Sequence, residues 1–113
     1  MARPKKNRRV CALPTNTAFV PKSAKDSDEI VMTIDEYETI RLIDFLEMTQ
    51  EECALKMQIA RTTVQAIYMS ARRKISDCIV NGKQLLIEGG DVMVCDGKDT
   101  NCIDNDCYQR KED

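Results

Sequence analysis

The chain has 113 residues, enough for one compact domain with tails and a modest aliphatic core, because Trp is absent and other aromatic residues are few. It contains no His, the commonest general base and metal ligand, so we predict that the protein is not an enzyme. The net charge of −2 is small, and its distribution along the chain is more informative than its size.

Charge changes sign along the chain in four segments. Residues 1–25 hold seven Lys and Arg and no acid, and residues 26–60 hold two basic and ten acidic residues. Residues 61–90 hold five basic and two acidic residues, and residues 91–113 hold three and seven. Two basic segments on either side of an acidic one are typical of nucleic-acid binders.

The sequence predicts neither a membrane segment nor a secretory signal. No apolar run approaches the roughly 18 residues needed to cross a bilayer, and no apolar stretch follows the basic N-terminus. We therefore predict a cytoplasmic location. In a reducing compartment the six Cys are expected to be thiols or metal ligands rather than disulfides.

The first predicted segment, residues 1–29, is a basic N-terminal arm followed by a loop. The arm covers residues 3–9, and Pro14 and Pro21 favour loop structure after it. Such an arm could follow the minor groove of DNA or contact phosphates, and a solubilising tail is the alternative. Its basic residues are Arg3, Lys5, Lys6, Arg8 and Arg9.

Residues 30–90 are predicted to form the domain. It opens with a short apolar run at 30–32, after which Thr33 and Glu36 form a capping box for a helix that ends near Glu47 or Met48. A second apolar run at 84–88 could pair with 30–32 or with its counterpart in a second subunit. The predicted fold is mainly α, a three-helix core with this small β element.

Two further helices are predicted inside this domain. A capping box of Thr49 and Glu52 starts a short helix, and residues 58–60 connect it to a long one. The long helix has an apolar face at helical spacing and ends at Asn81 and Gly82. The residues of that face are Val64, Ile67, Tyr68, Ala71, Ile75, Cys78 and Ile79.

The spacing of small and apolar residues predicts that the two helices form a helix-turn-helix. Ala54 supplies the small residue where the helices cross, and Met57 and Ile59 close the turn. Val64 and Ile67 anchor the second helix. An ordinary pair of antiparallel helices with a solvated polar face is the alternative.

This segment resembles the helix-turn-helix of the promoter-binding fourth region of sigma factors, including the end of the long helix at residues 71–75. Residues 1–90 are similar to a prokaryotic family of uncharacterised, predicted DNA-binding proteins. The likeness rests on residues 3–4, 8–11, 31–36, 50–54, 70–74, 80–83 and 87–90. The resemblance implies DNA binding, in transcriptional control.

The turn departs from the usual pattern at two positions. Where the turn normally carries Gly and Ser, this sequence has Gln58, which is strained there, and Ala60, which is a poor N-cap and costs about 1 kcal/mol.

Contacts with double-stranded DNA can be assigned from helix-turn-helix geometry. The first residues of a recognition helix face base edges, so Arg61, Thr62 and Gln65 are the candidate base contacts. Phosphate contacts are predicted for Thr63, the arm and three later basic residues of the long helix. Those three are Arg72, Arg73 and Lys74. A homodimer could form, because such proteins often bind paired half-sites.

The last predicted segment, residues 91–113, is an acidic tail that we expect to be loosely ordered unless something binds it. Cys95, Cys102 and Cys107, joined by Cys11, could supply four thiolates to zinc or to an iron–sulfur cluster. The alternative is a cysteine-bearing tail without a cofactor, because the tight Cys-x2-Cys spacing of strong zinc signals is absent. Cys53 and Cys78 are predicted core residues.

DNA binding in gene regulation is therefore the leading interpretation of the sequence. A sigma-like interaction module, whose helix pair contacts RNA polymerase or another protein, is the first alternative. A regulator that responds to metal or thiol oxidation through its C-terminal cysteines is the second.

Overall fold

The computed structural model describes residues 8–23 and 27–95. The strands are β1 (Arg8–Val10), β2 (Ala18–Phe19), β3 (Glu29–Met32), β4 (Gln84–Ile87) and β5 (Val92–Val94). The helices are α1 (Ile34–Thr39), which continues as a π-helical stretch (Ile40–Phe45), α2 (Gln50–Met57) and α3 (Arg61–Asn81). About half of the described residues are helical, so the predicted mainly α class overstates the helix content.

Both predicted capping boxes are present at the starts of α1 and α2. At α1 the Thr33 hydroxyl accepts from the Glu36 N–H at 3.4 Å, and the Glu36 carboxylate accepts from the Thr33 N–H at 2.9 Å. At α2 the same two contacts between Thr49 and Glu52 measure 3.1 and 2.8 Å. Each box satisfies two backbone donors that the helix itself leaves unpaired, which fixes where the helix begins.

The first helix changes to π-helical geometry before it ends. The N–H of Leu46 donates to the carbonyl of Arg41, five residues earlier, at 2.9 Å. Arg41, at the start of this stretch, pairs with Glu38 of α1 through contacts of 3.0 and 3.1 Å, and both side chains are buried. Because each buried charge is paired, the attraction between the two groups offsets part of the cost of removing them from water.

The described strands form two small sheets. In the first, the order is β2-β4-β3, with β3 parallel to β4 and Met32 opposite Ile87. The small β element predicted from residues 30–32 and 84–88 is therefore present within one chain. In the second sheet, β1 and β5 are parallel, with Val10 opposite Val94.

The second sheet takes in residues that the sequence analysis assigned to the arm and to the tail. Arg8 and Arg9 lie in β1, and β5 begins at Val92. The physical reason is that Val10 is almost completely buried, at 1% exposure, and pairing with β5 satisfies the backbone around it. A strand of three residues carries too short an alternation to be recognised in the sequence.

α3 is the longest element, with 21 residues and a length of about 30 Å. Val64 and Ala71 of its apolar face are fully buried, whereas Ile79 near its end is 76% exposed. The helix ends as predicted at Gly82, which takes a left-handed conformation with φ of 65°. No helix in the described ranges combines the length and apolar character that crossing a membrane requires.

Candidate nucleic-acid interface

A small apolar cluster holds α2 against α3. It contains buried side chains from the π-helical stretch and from both helices, and Ile59 of the connecting turn packs against it. Burial of an aliphatic side chain contributes about 1.5–3 kcal/mol, so the cluster fixes the position of α3 relative to α2. Its buried members are Leu42, Cys53, Ala54, Met57 and Val64.

The turn between the two helices consists of residues 58–60, as predicted. Gln58 takes the left-handed conformation, with φ 59° and ψ 45°, and its N–H donates to the carbonyls of Ala54 and Leu55. Ile59 also donates to Ala54, at 3.1 Å. Ala60 is extended and provides no side-chain cap for α3. The two expected weaknesses of the turn, a non-glycine left-handed residue and an uncapped helix, are both present.

The N-terminal end of α3 points its polar residues to solvent. Arg61, Thr62 and Gln65 are exposed, and Thr63 is half-buried. At 100° per residue, the first three lie within an arc of about 100°, and the edge of this arc, at Arg61, is about 60° from the buried Val64. Arg61 forms no ion pair with any residue in the described part of the chain.

Two of the later basic residues continue the same exposed face of α3. Eleven positions after Arg61, Arg72 returns to nearly the same angle around the helix axis, and Arg73 lies about 100° further round. Both side chains are exposed. Arg72 lies 3.6 Å from the carboxylate of Asp44 and 5.3 Å from the centre of the Tyr68 ring.

Lys74, the third predicted phosphate contact, is oriented differently. Its ammonium lies 2.7 Å from the carboxylate of Glu36, and Ser70 donates to the same carboxylate at 2.5 Å. Glu36 is the capping residue of α1, so these contacts join α3 to the start of α1. The geometry therefore gives Lys74 a contact within the fold rather than a place on the exposed face of α3.

The Tyr68 hydroxyl connects α3 to the π-helical stretch. It donates to the Asp44 carboxylate at 2.6 Å. This hydrogen bond is the main reason why the pKa of Tyr68 is raised, with smaller contributions from burial and from the Asp44 charge. Asp44 thus holds both Tyr68 and Arg72 and orients the cationic part of the α3 face.

The predicted arm divides into two parts. Arg3, Lys5 and Lys6 lie outside the described residues. Arg8 is part of β1, with its guanidinium 3.5 Å from the carboxylate of Asp35. Arg9 is buried and donates to the carbonyl of Lys56 at 3.4 Å and to the sulfur of Cys95 at 3.0 Å.

Of the four cysteines proposed as metal ligands, Cys11 and Cys95 are buried and follow directly after the paired strands β1 and β5. Cys102 and Cys107 lie outside the described residues. Within the described ranges, no group of three or more Cys, Asp and Glu side chains is placed to hold a metal ion. The core role of Cys53 agrees with its burial, which raises the pKa of its thiol to about 12.

Sequence reasoning missed two features of this region. The network of Asp44, Tyr68 and Arg72 joins residues far apart in the sequence, and no local pattern indicates it. The sequence gives only a weak indication that Arg9 is buried: Val10 and Cys11, which follow it, are apolar residues in an otherwise basic segment. We interpreted that segment by its charge alone.

Comparison with known proteins assigns the chain to a family. A family model described as "Protein of unknown function DUF134" matches residues 1–95. A UPF0251 protein of Desulfitobacterium hafniense (strain Y51) is 53% identical over 113 residues, which cover 98% of this chain and 90% of the relative. A UPF0251 protein of Caldicellulosiruptor bescii is 45% identical over 93 residues, covering 82% of this chain and 66% of the relative.

A third relative, a UPF0251 protein of Halothermothrix orenii, is 46% identical over 93 residues, covering 80% of this chain and 69% of the relative. No solved structure matches the chain. The names of these relatives state no activity. On the extent of the match and on these identities, the chain belongs to the DUF134/UPF0251 family.

Proposed function

We propose that this protein binds double-stranded DNA in gene regulation, with α2 and α3 acting as a helix-turn-helix and the start of α3 entering the major groove. Arg61, Thr62 and Gln65 contact base edges, and Arg72 and Arg73 contact phosphates. Arginine suits guanine and glutamine suits adenine because each can form two hydrogen bonds to the base.

One observation carries this proposal. In the first turns of α3, Val64 is fully buried, whereas Arg61, Thr62 and Gln65 are exposed. Val64 anchors the helix to α2, and the exposed residues are therefore held on a rigid support. A side chain that reads a base must be positioned in this way, because loosely held groups lose specificity to rotamer entropy.

The charges along α3 support the same assignment. Arg72 lies about 16 Å along the helix axis from Arg61, beyond the part of a recognition helix that reaches base edges. Its contact with Asp44 is exposed and long, so phosphate can compete with it at little cost. Asp44 then acts as a temporary partner that keeps Arg72 extended before DNA arrives.

The test is selection of binding sites from random double-stranded DNA, performed with the whole chain at two salt concentrations. We expect a consensus sequence and an affinity that falls steeply with salt, because phosphate contacts release counterions. Enrichment without a consensus would reduce the proposal to nonspecific association. If no DNA is retained at low salt, the proposal fails, and the exposed face of α3 becomes a candidate protein-binding surface, as in the sigma-like alternative.

A further inference from the structure

The strongest feature outside the proposed DNA interface is a cavity between the three-stranded sheet and the last turns of α3. Its volume is about 580 Å³, and thirteen described residues line it. Three of them, Met32, Leu85 and Ile87, belong to a buried apolar cluster that packs the sheet against α1 and α3. The cavity therefore opens directly onto the core of the protein.

The cavity lies where the sheet extends further than the helices that cover it. Phe19 of the edge strand β2 is opposite Leu85 of β4, and residues paired in this way share one face of the sheet. Leu85 is 9% exposed, whereas Phe19 is 52% exposed. From the helix side, Ile75, Cys78 and Ile79 of α3 line the same space. Apolar side chains thus form both the floor and the rim of the cavity.

The size of the cavity fits a small molecule better than a protein. Cavities that hold small ligands measure about 300–1,000 Å³, and this one lies within that range. A stable protein interface takes about 20–30 residues from each partner, roughly twice the thirteen that line this cavity. A macromolecular partner would therefore need much additional surface, whereas a small ligand would not.

We propose that this cavity binds a small apolar molecule with one anionic group, of the chemical class of medium-chain carboxylates. Burial of the hydrocarbon part supplies most of the affinity. Lys83 is the one charged residue among the described residues that line the cavity. Its ammonium lies 3.1 Å from the carboxylate of Asp77, which also accepts from Asn81 at 2.7 Å. Because an ammonium has three donors, Lys83 can bind the anionic group of a ligand and keep its contact with Asp77.

The first test is calorimetric titration of the whole chain with octanoate, and with octanol as the uncharged probe of the same length. We expect saturable binding of one octanoate and about tenfold weaker binding of octanol, because a hydrogen bond from a cation adds to apolar burial. Lys83→Met should remove this difference. Lys22→Met is the control, since Lys22 is an exposed cation that does not line the cavity.

Three results of this titration would overturn the proposal. The first is that neither probe binds saturably. The second is that octanol binds the unmodified protein as tightly as octanoate, and the third is that the difference between the probes persists in Lys83→Met.

The second test locates the site with two adjacent residues near the end of α3. Ile79 and Val80 are 76% and 78% exposed, so either should accept a polar side chain without loss of folding, but only Ile79 lines the cavity. We expect Ile79→Glu to weaken octanoate binding by more than about tenfold, because a carboxylate on the rim repels the anionic group and attracts water. Val80→Glu introduces the same charge and is the matched control. Equal losses in the two variants would contradict the location.

A third measurement needs no variant, because Cys78 lines the cavity. Burial is the main reason why the pKa of this thiol is raised, so its alkylation with iodoacetamide is followed at mildly alkaline pH. Saturating octanoate should slow alkylation of Cys78 and leave the rate at Cys53, in the other apolar cluster, unchanged. An unchanged rate at Cys78 would refute the site.

The same labelling distinguishes a small ligand from a second copy of the chain. If Cys78 is protected in the free protein at high concentration and becomes reactive on dilution, a second copy covers the cavity and the proposal fails. None of these readouts involves DNA, so their outcome is separate from the test of the proposed function.

Discussion

Several contacts between α1 and α3 converge on Glu36. Its carboxylate caps α1, accepts from Ser70 and pairs with Lys74. Burial by itself raises the pKa of Glu36, but hydrogen bonds from Lys74, Ser70 and the Thr33 backbone, with the Lys74 charge, outweigh it and lower the pKa overall. The ionised form is therefore the one that the folded protein stabilises.

This predicts a pH-dependent contribution to stability. A carboxyl group with a lowered pKa stabilises the fold above its unfolded pKa of about 4.3, and the contribution is lost as the pH falls through the folded value. Glu36→Gln should cost about 1–2 kcal/mol at pH 7 and progressively less in acid. Urea unfolding between neutral and acidic pH measures this difference. The exposed Glu88→Gln is the control, and a cost for Glu36→Gln that stays constant with pH would contradict the explanation.

The proposed base contacts lead to a second prediction about single residues. Because Arg61 and Gln65 are exposed, replacing either with Ala should leave the thermal unfolding of the protein unchanged. Affinity for the selected DNA site should fall about 10- to 100-fold for each variant. The control is Ser76→Ala, because Ser76 is on the same exposed face of α3, about 22 Å further along the axis than Arg61 and about 16 Å further than Gln65. Equal effects of all three substitutions would count against base recognition by the start of α3.

Among the elements, the turn between α2 and α3 carries an avoidable strain. Gln58 is left-handed, where a side chain is unfavourable, so Gln58→Gly should stabilise the protein by about 0.5–1 kcal/mol. Leu55→Gly, at an exposed position inside α2, should destabilise it by about 1 kcal/mol. Denaturant midpoints measure both. A loss of stability in Gln58→Gly would indicate that its side chain has a stabilising role in the turn.

Helices were easier to predict than strands, for a physical reason. The starts of α1 and α2 follow from capping boxes, and the course of α3 follows from its apolar period, all of which are local in the sequence. The pairing of β1 with β5 joins two three-residue strands from nearly opposite ends of the chain, and such pairing depends on tertiary contacts. The same holds for the residues of the candidate site. The exposure of Arg61 could be predicted from the local helical period, whereas the contact of Lys74 with Glu36 could not, because it joins two distant helices.

For the whole molecule, the distribution of charge predicts how DNA affinity depends on salt. Replacing Arg3, Lys5 and Lys6 together with Gln should reduce the slope of log affinity against log salt by up to about 3, since each lost phosphate contact removes about one ion. The selected consensus should stay the same. Lys22→Gln, an exposed cation in the loop after β2, is the control. An unchanged slope in the triple variant would identify the arm as a solubilising tail.

The buried Arg9 connects two distant parts of the protein. One nitrogen of its guanidinium donates to the sulfur of Cys95, and another donates to the carbonyl of Lys56, two residues before Gln58 in the turn. A change at the sulfur of Cys95 would therefore reach the support of α3 through a single side chain. Thermodynamic reciprocity then sets a strict expectation: if a ligand at this contact changes the affinity for DNA by some factor, DNA changes the affinity for that ligand by the same factor.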